Sequence, residues 1–406
     1  MLKKVPISQV RLGMHVHRIE GPWIDHPFWR SAFTLSDPKD LAALRQSQVT
    51  ELWIDVQKGL DVLQAPASAA ARAAPAADRA LHGAAQAPAS RAGPPIPLQE
   101  ELQHARRIMA EGRAAVISMF QEARLDRAVR AMDAMPLVDE IAHSVERNPQ
   151  ALVSIARLKT RDDYTYMHSV AVCALMTALA RQFQFGDEQV RLAGLAGLMH
   201  DIGKARMPLD VLNKPGKLTA EEFSIMQGHP EAGWAILRAN DDTPEAVLDT
   251  VLHHHEKFEG GGYPHGLRGD GIALLARMGA VCDVYDAITS NRPYKAGWDP
   301  AVSIRQMNTW RGHFDPRVLQ AFIKSIGIYP IGSLVRLESQ KLGVVTGQGS
   351  GTLLAPVVTV FYSTRSSEPI ARMAIDLSAP GCRERIAGLE DAQKWGFRHL
   401  DDMWAA

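Results

Sequence analysis

From residue 98 to about 325, apolar residues recur three and four positions apart, the period of a helix with one buried face. LQEELQHARRIMAEGRAAVISMFQEARL (98–125) opens this region. The same spacing predicts helices around 137–147, 150–160, 166–183, 187–200, 219–239, 243–256 and 272–290. On both flanks the period shortens to two. Near the start, VPISQVRLGMHVHRI and ELWIDV (51–56) read as strands around DLAALRQSQ, which reads as helix, and WIDHPFW brings aromatics to a small core. After YPIGSLV (329–335), SLVRLESQKLGVVTGQ and PVVTVFY alternate and end at glycines, the pattern of a small β unit. Residues 64–97 are rich in Ala, Pro and Gly with almost no large apolar side chain, so they cannot offset their ordering entropy and read as a linker. The expected organisation is a small α/β domain (1–63), an Ala/Pro-rich linker (64–97), a helical domain (98–328) and a β-rich unit (329–406), with the whole mainly α.

Composition narrows the function. The 45 Lys and Arg residues balance 45 Asp and Glu, so no overall field draws the chain to a nucleic-acid polymer or an anionic membrane, and any anion must be attracted locally. Cys173, Cys282 and Cys382 are far apart and form no CxxC pair, which argues against a disulfide framework or structural zinc and fits a reducing cytoplasm. VAVCALMTALA (170–180) is stopped by Arg181 and reads as a buried helix, not a membrane span. No apolar segment follows Lys3 and Lys4, so a signal peptide is not expected.

The chemistry lies in scattered histidines and aspartates. GLMHDIGKARMP (197–208) puts His200 beside Asp201 at the end of an apolar helix, where the pair could grip one metal or let the carboxylate bridge two. His168 begins another apolar helix, His229 stands in QGHPEAG near a helix start, and Asp283 lies on the largely apolar AVCDVYDAITSNRPY, where a carboxylate needs a partner. Asp286 fits either a supporting role to a metal ligand or a structural ion pair. HHHEKFEGGGYPHG (253–266) adds three imidazoles before a glycine run. Each residue alone favours a packed or capping role. Together they form a mixed nitrogen and oxygen set that suits iron, manganese or zinc, not a thiolate site.

His168, HDIGK, the GHP at His229, HHEKFEGGGYPHGLRGDGI and AVCDVYDAITSNRPYK together resemble the HD-GYP family of HD phosphohydrolases, over roughly residues 150–325. The N-terminal segment resembles a domain of unknown function found ahead of such domains. The resemblance implies a helical HD-type metallophosphohydrolase domain that hydrolyses cyclic di-GMP to pGpG, with a water activated between two divalent ions, iron or manganese. It implies His168, His200, Asp201, His229, His254, His255 and Asp283 as ligands, with Asp201 bridging and His253 outside the set. It assigns Lys204 with Asp201 to catalysis, and Lys204, Gly262, Tyr263, Arg292 and Lys295 to the substrate. Three positions depart from the family pattern. Tyr164 stands where some members have a glutamate for a third metal, so two metals are expected; Glu259 replaces a more usual aspartate; and His253 is extra. The competing readings are hydrolysis of another guanine nucleotide and a non-catalytic cyclic di-GMP receptor or interaction module. Signalling-protein partners, a homodimer and a regulatory role for residues 1–63 stay open.

Overall fold

In the computed structural model, the described residues are 2–7, 10–19, 33–35, 38, 41, 45, 51–60, 96, 98–158, 164–214, 216–290, 297–349, 352–397 and 399–405. They form two compact units, divided between residues 73 and 74. The first is an antiparallel sheet of β1 (Leu2–Pro6), β2 (His15–Ile19), β3 (Phe33–Thr34) and β4 (Glu51–Asp55) in the order β1-β4-β2-β3. Val5, Val16, Leu52 and Ile54 close its core with Val10, Met14 and Leu35. WIDHPFW, most of the helix expected at 40–48 and nearly all of the linker fall outside the described residues.

The second unit is mostly helical. It holds α1 (Leu98–Arg124), α2 (Met135–Arg147), α3 (Pro149–Ala156), α4 (Tyr164–Gln182), α5 (Asp187–Met199), α6 (Leu209–Leu212), α7 (Ala220–Met226), α8 (His229–Arg238), α9 (Glu245–His253), α10 (Leu274–Thr289), α11 (Pro300–Thr309) and α12 (Pro316–Ile326). Asn148, Thr219, Asp299 and Asp315 start α3, α7, α11 and α12 by accepting backbone N–H hydrogen bonds, and a proline follows three of these caps. The single helix expected at 219–239 is two, because Gln227 and Gly228 break it before His229. The helices expected to reach 160 and 256 stop at Ala156 and His253.

Helix α4 is buried on every side from His168 to Ala180, which explains why VAVCALMTALA (170–180) is apolar but for Thr177. No helix among the described residues is long and apolar enough to cross a membrane. The C-terminal strands β5 (Leu334–Leu337), β6 (Lys341–Gly347), β7 (Val357–Ser363), β8 (Glu368–Asp376) and β9 (Ile386–Leu389) form an antiparallel sheet in the order β8-β7-β6-β5-β9. This sheet belongs to the second unit. Arg157 donates to the Ile331 carbonyl (2.7 Å), the Leu334 N–H donates to Asp299 (3.2 Å), and Gln99 donates to the carbonyl of buried Trp404 (3.1 Å).

Candidate metal centre

All seven expected ligands converge. They form two groups, Asp201 with His229, His254 and His255, and His168 with His200 and Asp283, and the ligand atoms within each group lie within 4.8 Å of one another. Six of the seven are buried, and His255 is partly so. They come from five places: His168 near the start of α4, His200 and Asp201 just after α5, His229 at the start of α8, His254 and His255 just after α9, and Asp283 on α10. His200 and Asp201 follow the last residue of α5, so the pair is splayed by a helix end and not by helical rotation. Gly203 makes the next turn fit. A Cβ there would run into the His229 carbonyl and the Gly233 amide, so only glycine lets Asp201 approach the start of α8 this closely.

The hydrogen bonds fix which nitrogen each imidazole presents. Nδ1 of His200 lies 2.7 Å from the Gly197 carbonyl, Nδ1 of His229 lies 2.7 Å from that of Met226, and Nδ1 of His254 lies 2.9 Å from that of Val251. A carbonyl can only accept, so each Nδ1 carries the proton and each Nε2 turns a lone pair inward. His168 donates Nδ1–H to Asp286 at 2.6 Å, the carboxylate–histidine pairing that orients a metal ligand. The inward nitrogens crowd one another, with His200 Nε2 3.2 Å from His168 Nε2 and His229 Nε2 3.3 Å from His254 Nε2. Lone pairs held face to face in this way suit a shared cation.

Two carboxylates connect the groups. Asp201 Oδ2 lies 3.3 Å from His200 and 3.6 Å from His168, whereas Oδ1 lies 3.2 Å from His229 and 3.9 Å from His254. Oδ1 is buried and makes no hydrogen bond, which would be costly for an anionic oxygen without a cation. Asp283 Oδ1 lies 3.0 Å from His168, and its Oδ2 lies 3.8 Å from His255. The donor set therefore fits divalent metal.

The electrostatics agree. Burial pushes His254 well down and His255 to about 3, so both are neutral and free to coordinate. Burial alone would raise Asp201, but the charge of Lys204 and the nearby imidazoles hold it well below the carboxylate range. Lys204 Nζ is 2.5 Å from Asp201 Oδ2 and keeps some exposure to solvent. Burial also disfavours charge on His168, yet hydrogen bonds to Asp283 and Asp286 outweigh it and raise this imidazole.

His253 is turned elsewhere. Its Nδ1 lies 2.9 Å from Asp249 and its Nε2 lies 3.0 Å from His265. Glu256 accepts from the His265 and Leu267 N–H groups at 2.7 and 3.1 Å, so the glycine loop is tied back to the segment after α9 that carries His254 and His255. Gly262 passes so close to the backbone of Glu256 and Lys257 that a Cβ would collide with it. Tyr263 thereby stacks on His255, with ring centroids 4.8 Å apart and planes at 29°. Glu259 packs over Gly312. Tyr164 is the first residue of α4, four positions before His168. Arg292 and Lys295 lie outside the described residues. The sequence reading missed the Asp249–His253–His265 chain, because only its first link has helical spacing and its second joins positions twelve apart across the glycine loop.

A family model described as an HD domain matches residues 137–318, and one described as a domain of unknown function (DUF3391) matches residues 2–134. A cyclic di-GMP phosphodiesterase of Pseudomonas aeruginosa is 52% identical over 405 residues, covering 100% of this chain and 96% of the relative. The chain belongs to the HD-GYP family. Two further relatives match its HD-GYP domain. The cyclic di-GMP phosphodiesterase response regulator RpfG of Xanthomonas campestris is 37% identical over 44% of this chain and 48% of its own length. A 3'3'-cGAMP-specific phosphodiesterase of Vibrio cholerae is 32% identical over 41% of this chain and 32% of its own length.

Proposed function

We propose that this HD-GYP protein is a metal-dependent phosphodiesterase that opens cyclic di-GMP to linear pGpG, working with two divalent ions, iron or manganese. The observation that carries the reading is the set of imidazoles whose outer nitrogens are committed to carbonyls or a carboxylate, grouped around the two differently directed oxygens of Asp201. His168, His200 and Asp283 would hold one ion, and His229, His254 and His255 the other, with Asp201 between them. Such ions supply Lewis-acid stabilisation of phosphate charge and a water of lowered pKa.

The residues do the rest. Asp201 keeps both groups in register, while Asp286 and the backbone carbonyls hold the imidazoles in the ligating tautomer. Lys204 spends one of its three donors on Asp201 and presents the remaining positive charge to the phosphate oxygens. Gly262 and Tyr263 form the wall beside His255, and by the family resemblance Arg292 and Lys295 would add further cations for the phosphate oxygens. Water adds to one phosphorus, the P–O3′ bond breaks, and the 3′ oxygen leaves with a proton, giving a 5′-phosphate and a free 3′-hydroxyl. None of the seven proposed ligands lies in residues 1–63, which in this reading regulate the enzyme. The three unpaired cysteines suit a reducing, cytoplasmic setting.

The test is product analysis. Protein reconstituted anaerobically with iron or manganese should convert cyclic di-GMP to pGpG, and chelation should stop it. Fully loaded protein that binds cyclic di-GMP without cleaving it would establish a receptor instead.

A further inference from the structure

Helix α7 buries none of its residues, yet it displays Phe223 at 48% and Ile225 at 45% exposure. Leu209 of α6 is also exposed. The helix does not depend on these side chains for its start. Thr219 accepts from the Glu222 N–H, Glu222 accepts from the Thr219 N–H, and Lys214 grips the Glu222 carboxylate at 2.5 Å. Large apolar groups left in water beside a reaction centre mark a place where something apolar docks. Phe223 meets Tyr263 edge to face, with centroids 6.5 Å apart and planes at 81°. Tyr263 in turn stacks on the ligand His255. An aromatic row therefore runs from the surface to the metal centre.

We propose that Phe223 determines specificity by stacking on a purine base of the substrate whose phosphodiester lies at the metal centre. This rests on the phosphodiesterase reading above. A cyclic dinucleotide with one phosphate at the metals carries its bases beyond that phosphate, and Tyr263 and Phe223 are the aromatic rings leading from His255 to the surface. The edge-to-face contact uses one side of the Phe223 ring and leaves a face for the base. Stacking reads the area of a π face and not its hydrogen-bonding edge, so Phe223 favours purines over pyrimidines without separating guanine from adenine.

The test uses full-length, metal-reconstituted protein with Phe223→Ala, Phe223→Leu and Phe223→Trp, assayed on cyclic di-GMP and on the base-free diester methyl 4-nitrophenyl phosphate. Alanine and leucine should raise KM for cyclic di-GMP about tenfold with little change in kcat, tryptophan should restore it, and the base-free diester should be cleaved equally by all four proteins. Leucine keeps apolar contact with Tyr263 but offers no ring. Normal KM in both the alanine and leucine variants overturns the proposal, as does an equal loss on both substrates, which would make Phe223 a support for Tyr263. Wild-type protein that cleaves only the base-free diester overturns the substrate reading and the purine assignment with it.

Discussion

Asp286 shows how much a single side chain beyond the ligands can control. Its carboxylate fixes the His168 ring through Nδ1 at 2.6 Å, leaving Nε2 for the metal. Asp286→Asn keeps the volume but removes the charge and admits the wrong tautomer. Metal affinity should fall about 10- to 100-fold, read by metal titration of the apoprotein, while the unfolding midpoint moves little. The histidine triplet gives a sharper contrast. His254 faces Asp201, whereas His253 is bound to Asp249 and His265. His254→Ala should lose the metal of its group. His253→Ala should retain full metal and lose no more than about tenfold in kcat/KM, through a looser glycine loop. Equal metal loss in both, measured by elemental analysis, would shift the ligand register by one residue. The residues that converge are legible in the sequence because each sits in a short motif. The supporting bonds are not, since a backbone carbonyl three residues back has no side-chain signature.

Helices α1 and α2 illustrate the same limit at the next scale. The apolar period gives both helices from sequence, yet nothing in it announces that Glu101 crosses between them. Its buried carboxylate accepts from Ser144 at 2.7 Å and from Arg147 Nε and Nη2 at 2.8 and 2.7 Å. Burial would raise its pKa, but the Arg147 and Ser144 hydrogen bonds prevail and hold it below the ordinary carboxyl value. Glu101→Gln should destabilise the protein by about 2 kcal/mol at pH 7, less than a fully buried pair would lose, because the Arg147 side chain is 35% exposed and can turn to water. A depressed folded-state pKa stabilises above the unfolded value and ceases to do so as pH falls through the folded one. The difference between wild type and variant in urea unfolding should therefore shrink below about pH 4. A difference that grows on acidification would refute the ionised pairing. Elsewhere the element reading failed where local breaks compete with period: Gly228 splits α7 from α8, and the exposed strand β8 has no clean alternation of buried and exposed positions to announce it.

For the molecule as a whole, the boundary that matters is not the one between the two family matches. The N-terminal match runs to residue 134 and so includes α1, but the compact units divide at 73 and 74. Helix α1 packs with the catalytic helices: its Gly112 lies against Val170 of α4, and Phe120 meets Tyr166 edge to face at 5.5 Å. Leu102, Ile108, Met109, Val116 and Phe120 are all buried along it. At about 1.5–3 kcal/mol for each large apolar side chain, removing α1 forfeits roughly 8–15 kcal/mol, as much as the whole stability of a typical domain. It would also expose the face of α4 just beyond His168. A fragment of residues 74–406 should therefore fold, bind metal and cleave cyclic di-GMP at a rate close to that of the full chain, since every ligand lies within it. A fragment beginning at residue 135 should be insoluble or unfolded despite containing the entire HD match. Circular dichroism, metal content and turnover on the two fragments decide the matter. A stable, active 135–406 would show that α1 belongs functionally with the N-terminal domain, and a folded, metal-loaded but inactive 74–406 would show that residues 1–73 act on the site directly.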